Sequence, residues 1–140
     1  MTFRSIAHGD PPRADAPRPA VYVAPDTKDL AAFEDFLVPA DRTRLASIDL
    51  SADAVIAVFD ASTGSSGRAI TVKSISVAGA TLRIVAERTG PAPGEPALTV
   101  FTTPYDVIAV DRSEVVRPGV SACVVLDPSG RELARRSIGG

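Results

Sequence analysis

The sequence predicts a mainly β chain with one helix, folded as an antiparallel β-sandwich or partly open barrel of about seven strands. Three observations carry that reading. Short runs rich in valine, isoleucine and threonine recur from residue 50 onward, bounded by glycine, proline or aspartate. Only one stretch, "APDTKDLAAFEDFLV", spaces its apolar residues for a helix. A chain of 140 residues with 45% apolar content is enough for one domain with a sizeable core, so residues 1–140 are read as a single domain.

The elements follow in chain order. "FRSIA" is a short apolar start. "HGDPPRADAPRP" then places four prolines in twelve residues. Proline lacks the N–H and fixes φ, which excludes a helix or central strand and leaves an extended loop. "AVYV" (20–23) is a short strand. In the helical stretch, Asp26 or Thr27 stands where a cap belongs, and Asp29 favours the positive end of the helix dipole. Leu30, Phe33 and Leu37 form a core-facing stripe with Phe36 beside it, and Pro39 reads as following a helix that has already ended.

"ADAVIAVFD" is apolar on both faces, as a central strand covered on both sides should be. "RAITVKSISVAG" alternates, but its apolar set switches from Ile70 and Val72 to Ile75 and Val77. A one-residue bulge near Lys73 or Ser74 accounts for the switch. "ATLRIVAERTG" returns through "AGA" with Leu82, Ile84 and Ala86 on one face, completing a long hairpin. "PAPGEP" cannot continue a strand. "ALTVFTTPYDVIAVDR" reads as two short strands broken at Pro104. Residues 119–138 close the chain as a second hairpin around "DPSG", with Pro128 pre-setting the turn and Gly130 supplying positive φ.

Charge and cysteine usage exclude several classes. The 15 basic and 17 acidic residues are interspersed and give a net charge of −2, without the basic face that nucleic acid requires. Arg131, Arg135 and Arg136 read as a solvated strand face. No run approaches the roughly 18 apolar residues of a membrane span. "MTFRSIAHGD" lacks the apolar core of a secretory signal, so the chain reads as cytoplasmic as written and as exported if a leader preceded residue 1. Cys123 is the only cysteine, which rules out an intrachain disulfide. Inside "ACVVL" it should behave as a small hydrophobe.

The segment "DASTGSSGRAI" (60–70), leaving a buried strand, is where chemistry would be sought. A nucleophile elbow needs Gly-x-Ser-x-Gly, and Gly64-Ser65-Ser66-Gly67 is one residue short with a strand after it. A metal loop of the Asp-x-Ser-x-Ser kind would use Asp60 and Ser62, but Gly64 stands at the third position. A phosphate cradle needs a lysine and a following helix, both missing. The one histidine, His8, lies in the Pro-rich start with no evident carboxylate to orient it. With one His and one Cys, a zinc site of nitrogen and sulfur ligands cannot be assembled. Glu87, Glu95 and Asp106 each read as solvated. The expectation is a chain without catalytic residues, metal or cofactor, whose loops bind a partner.

Several pieces, in order, resemble the PrcB C-terminal family. They are Val55–Phe59, Gly64 and Gly67, Ile70–Ile75, Leu82–Glu87, Pro91, and Pro104-Tyr105-Asp106-Val107. "FRSIAHG…VYVAPDTKDLAAFEDFL" is similar to the strand-and-helix lead-in of that family. The PrcB-like region thus spans 3–114, with 119–138 as a C-terminal extension. The resemblance implies a non-catalytic bacterial protein associated with a protease complex, acting as an accessory or inhibitor-like partner. Arg68 stands where the family loop usually carries an aromatic residue. The partner-binding residues expected on this basis are Ser62, Thr63, Gly64, Ser65, Ser66, Gly67, Arg68, Pro104 and Tyr105. The loops 61–68, 90–97 and 103–105 are expected to share one end of the domain. A small-ligand or carbohydrate-binding β-sandwich is the alternative, though carbohydrate sites favour aromatic platforms and this chain has no Trp and two Tyr.

Overall fold

Two four-stranded sheets carry the fold. The structure is a computed structural model describing residues 1–11, 13, 16–62, 68–90, 94 and 101–138. Strands are numbered in chain order. The first sheet is ordered β1 (Phe3–Gly9), β6 (Tyr105–Asp111), β3 (Asp53–Phe59) and β2 (Ala20–Ala24), antiparallel throughout. The second is ordered β4 (Ala69–Ala78), β5 (Thr81–Thr89), β7 (Ala122–Leu126) and β8 (Glu132–Ser137). Its pairs are antiparallel except β5–β7, which is parallel because the chain crosses between sheets after β6 and enters beside β5 in the same direction. The sheets form a sandwich and do not close into a barrel. The 119–138 hairpin lies within the second sheet, hydrogen-bonded to β5.

The apolar run of β3 is explained by what lies on each side of it. Ala54, Ile56 and Val58 join Ile70, Leu82, Ile84, Ile108 and Val125 between the sheets. Val55, Ala57 and Phe59 face outward into a second cluster with Leu30, Phe33, Leu37, Leu45 and Tyr105, roofed by the helical segment. Each large side chain fully buried this way contributes about 1.5–3 kcal/mol relative to exposure.

That roof departs from the expected single helix at 26–37. The chain makes one turn, α1 (Thr27–Leu30), then a 3₁₀ turn at Glu34–Phe36, and only then its longest helix, α2 (Pro39–Ala46). Asp26 makes no capping bond; its carboxylate accepts from Arg112 Nη2 at 3.3 Å instead. Phe33, at φ −139°, leaves helical conformation. Pro39 opens α2 in place of following a finished helix, because its missing N–H costs nothing at the first helical position. The stripe itself survives: Leu30, Phe33 and Leu37 are all buried.

Local signals held elsewhere. The β4–β5 register shifts between Val72 and Ser74, the predicted bulge. The "DPSG" turn is locked by Asp127 Oδ1, which accepts from Ser129 N and Arg131 N at 2.9 Å each, with Gly130 at φ +93°. The "FRSIA" start extends into strand β1 and takes in His8 and Gly9. Most of the expected strand before Pro104 lies outside the described residues; Tyr105 begins β6. A final helical turn, α3 (Arg112–Val115), follows β6 and is capped by Asp111 on Ser113 N.

A candidate partner-binding end

β3 ends at Phe59 opposite Tyr105, where β6 begins, while β4 begins at Ala69 opposite Thr89, where β5 ends. This register brings the flanks of all three candidate loops to one end of the sandwich. Asp60 N donates to Pro104 O at 2.9 Å. Ser62 Oγ and Thr103 Oγ1 are 2.9 Å apart, and Ser62 Oγ also accepts from Ala16 N at 3.1 Å. Arg88 Nη1 reaches Asp60 Oδ1 at 3.4 Å, and the same oxygen accepts from Ala61 N at 2.8 Å. Arg68 lies against Gly90: a Cβ added there would sit 3.7 Å from its guanidinium.

The expected contact residues divide sharply. Ser62 is half-buried and engaged within the end. Arg68 is exposed and has no ion pair among the described residues. Thr63, Gly64, Ser65, Ser66 and Gly67 lie outside the described residues, as does most of 90–97. Pro104 and Tyr105 require correction, since both are buried and unavailable to a partner. Tyr105 is a core strut: its hydroxyl donates to Asp41 and accepts from Val38 N at 3.1 Å, fastening β6 to the start of α2. Burial and the Asp41 carboxylate push its pKa up to about 12.

Phe101 was not among the expected contacts. It is 59% exposed, and its carbonyl accepts from Arg13 N at 3.0 Å while Thr103 N donates to Pro11 O at 3.0 Å. The ring is thus displayed from a pinned backbone. No periodicity in the sequence marks it, since Thr103 and Tyr105, which share its parity, are both buried. The Arg13 guanidinium covers Phe36, 3.7 Å from the ring centre.

Two further expectations are overturned. Asp106 is 3% exposed, not solvated, because its side chain points between the sheets. His8 belongs to β1 and does have a carboxylate beside it, with Nδ1 3.8 Å from Asp106 Oδ1. Asp60 and Ser62, the two residues weighed for a metal loop, are engaged in the contacts above. Neither tyrosine offers a platform for carbohydrate, as Tyr105 is buried and Tyr22 lies under Arg136, 4.5 Å from the ring centre.

The arrangement is that of an open β-sandwich with several loop flanks gathered at one end. The PrcB C-terminal family model matches residues 54–111, which run from β3 through β6, so this segment is similar to that family. β1, β2, the helical roof and the closing hairpin lie outside the match. No curated protein and no solved structure matches the chain.

Proposed function

We propose that this chain is a non-catalytic protein-binding β domain that meets its partner through the end bearing Ser62, Arg68 and Phe101. A protease, or a protein of a protease complex, is the partner class that the family suggests. The supporting observation is the convergence of three loop flanks on one end, where Phe101 and Arg68 are both exposed and Arg68 has no ion pair among the described residues. Aromatic and arginine side chains are the usual anchors of protein interfaces. The hydroxyl of Ser62 is committed to Thr103 and Ala16, which leaves it poorly placed as a nucleophile.

The test is affinity capture with the purified protein from extracts of its source, in parallel with Phe101→Ala and Arg68→Glu. A protease-complex component retained by the parent and lost from both variants supports the reading. Retention by all three proteins, or no such component, removes it.

A further inference from the structure

At the opposite end of the sandwich a surface cleft borders the inter-sheet core. Beyond α3 the chain turns through 116–121, and these residues, with Pro25 and Ile138, line an open cleft of about 500 Å³. Its walls include Val115, Val120 and Ile138, all members or direct neighbours of the inter-sheet cluster. Val116 stands on its lip, 43% exposed. An apolar surface continuous with a core marks a binding site more strongly than a lone exposed side chain does.

Pro25 and Ile138 also line an adjoining cleft of about 320 Å³ whose character is different. Lys28, Arg136 and Tyr22 line it, with Asp29 as its one acid. Lys28 has no ion pair among the described residues. Arg136 uses Nε on Val21 O at 2.6 Å. The apolar trough therefore adjoins a region with two cations to one anion.

The backbone narrows the class of occupant. Ser121 N and Ala122 N both donate to Ala80 O, Ile138 N donates to Ser121 O, and Val116 N donates to Arg112 O. These amides are already committed, so an extended peptide gains no strand-like pairing from them. What the cleft offers is apolar contact followed by positive charge.

We propose that this cleft binds a small free amphiphile, its apolar body against Val115, Val116, Val120 and Ile138 and its anionic head toward Lys28 and Arg136. The site is independent of the loop end and of the partner assigned to it. Pockets that combine apolar walls with a few placed polar groups are the usual form of small-molecule sites.

The probe is dodecanoate, kept below its micelle concentration and titrated into the isotope-labelled full chain while backbone amide resonances are followed. Dodecyltrimethylammonium and dodecanol serve as cationic and neutral heads on the same tail. Saturable shifts at Val116, Val120, Ser121 and Ile138 are expected with dodecanoate, with affinity for the cationic amphiphile weaker by about tenfold, a difference of roughly 1.4 kcal/mol. Val116→Asp should weaken dodecanoate binding, Lys28→Glu should abolish the preference for the anionic head, and Phe101→Ala should change neither. Both charge variants alter exposed positions, and their spectra report whether the fold is kept. Equal affinity for the three heads, shifts centred on Phe101, or no saturable shift would overturn the proposal. So would binding only to anionic lipid vesicles, which would assign the face to a membrane surface.

Discussion

Asp106, on β6 of the first sheet, accepts the backbone N–H of Val72, on β4 of the second, at 2.8 Å. Val72 borders the bulge on an edge strand, where a buried N–H needs an acceptor that the ladder does not supply. One carboxylate thus joins the two sheets on this flank. Its other oxygen has no hydrogen-bond partner among the described residues, and the His8 imidazole Nδ1 stands 3.8 Å from it. Burial raises the Asp106 pKa above its ordinary value, partly opposed by the Val72 N–H and His8.

The sign of the pH dependence follows. A carboxyl whose folded pKa is raised contributes stability that is full below the unfolded value and is lost as pH rises through the folded value. Asp106→Asn keeps an acceptor for Val72 without the buried charge. Its melting temperature relative to the parent should therefore increase as pH is raised from the ordinary aspartate range toward neutrality. Asp106→Leu instead orphans the Val72 N–H and should cost about 1–3 kcal/mol. A parallel pH profile for parent and Asn variant would show that Asp106 does not carry this linkage.

Gly9 is fixed by Tyr105. A Cβ at Gly9 would lie 2.9 Å from both Cζ and Oη of that ring. The ring cannot yield easily, because its hydroxyl is held by Asp41 and Val38 N. Gly9→Ala should cost about 1–3 kcal/mol as overpacking. Chemical denaturation measures it, with Gly90→Ala as control, where the nearest atom belongs to the flexible Arg68 at 3.7 Å. Equal midpoints for the two variants would contradict the contact.

Much of this architecture was legible because it is written in local periodicity. The bulge at Val72/Ser74, the "DPSG" turn and the two-faced burial of β3 each follow from parity or turn chemistry within about ten residues. The helical roof was misread because Leu30, Phe33 and Leu37 are buried at helical spacing although the backbone between them is not one helix. A spacing rule sees the stripe and cannot see the break at Phe33. Asp106 and Tyr105 were misplaced for a different reason. Their partners, Val72, His8, Asp41 and Val38, are distant along the chain, so only the assembled sheets reveal that these polar atoms are buried.

Phe59 is the hub of the outer cluster. Its ring lies 5.6 Å from Tyr22, 6.0 Å from Phe36 and 5.7 Å from Tyr105, centre to centre, and it is 2% exposed. Phe59→Ala opens a cavity beneath the helical roof and should cost about 3–5 kcal/mol. The urea midpoint should fall with the slope unchanged. An unchanged midpoint would mean that the roof does not depend on this ring.

Cys123 tests the closure of the inter-sheet core. It is fully buried on β7, paired with Leu82 of β5 and Arg136 of β8. Burial pushes its thiol pKa up to about 12, so the reactive thiolate is disfavoured as well as shielded. The folded protein should resist an aromatic disulfide reagent at neutral pH and release one equivalent of reporter when urea is added. Because β7 is an interior strand of its sheet, reaction below the unfolding transition requires an opening that separates β7 from a neighbour. Its rate should therefore follow global stability across Phe59→Ala and Gly9→Ala. Rapid stoichiometric reaction in native buffer would show instead that the second sheet opens at β8 independently of the rest.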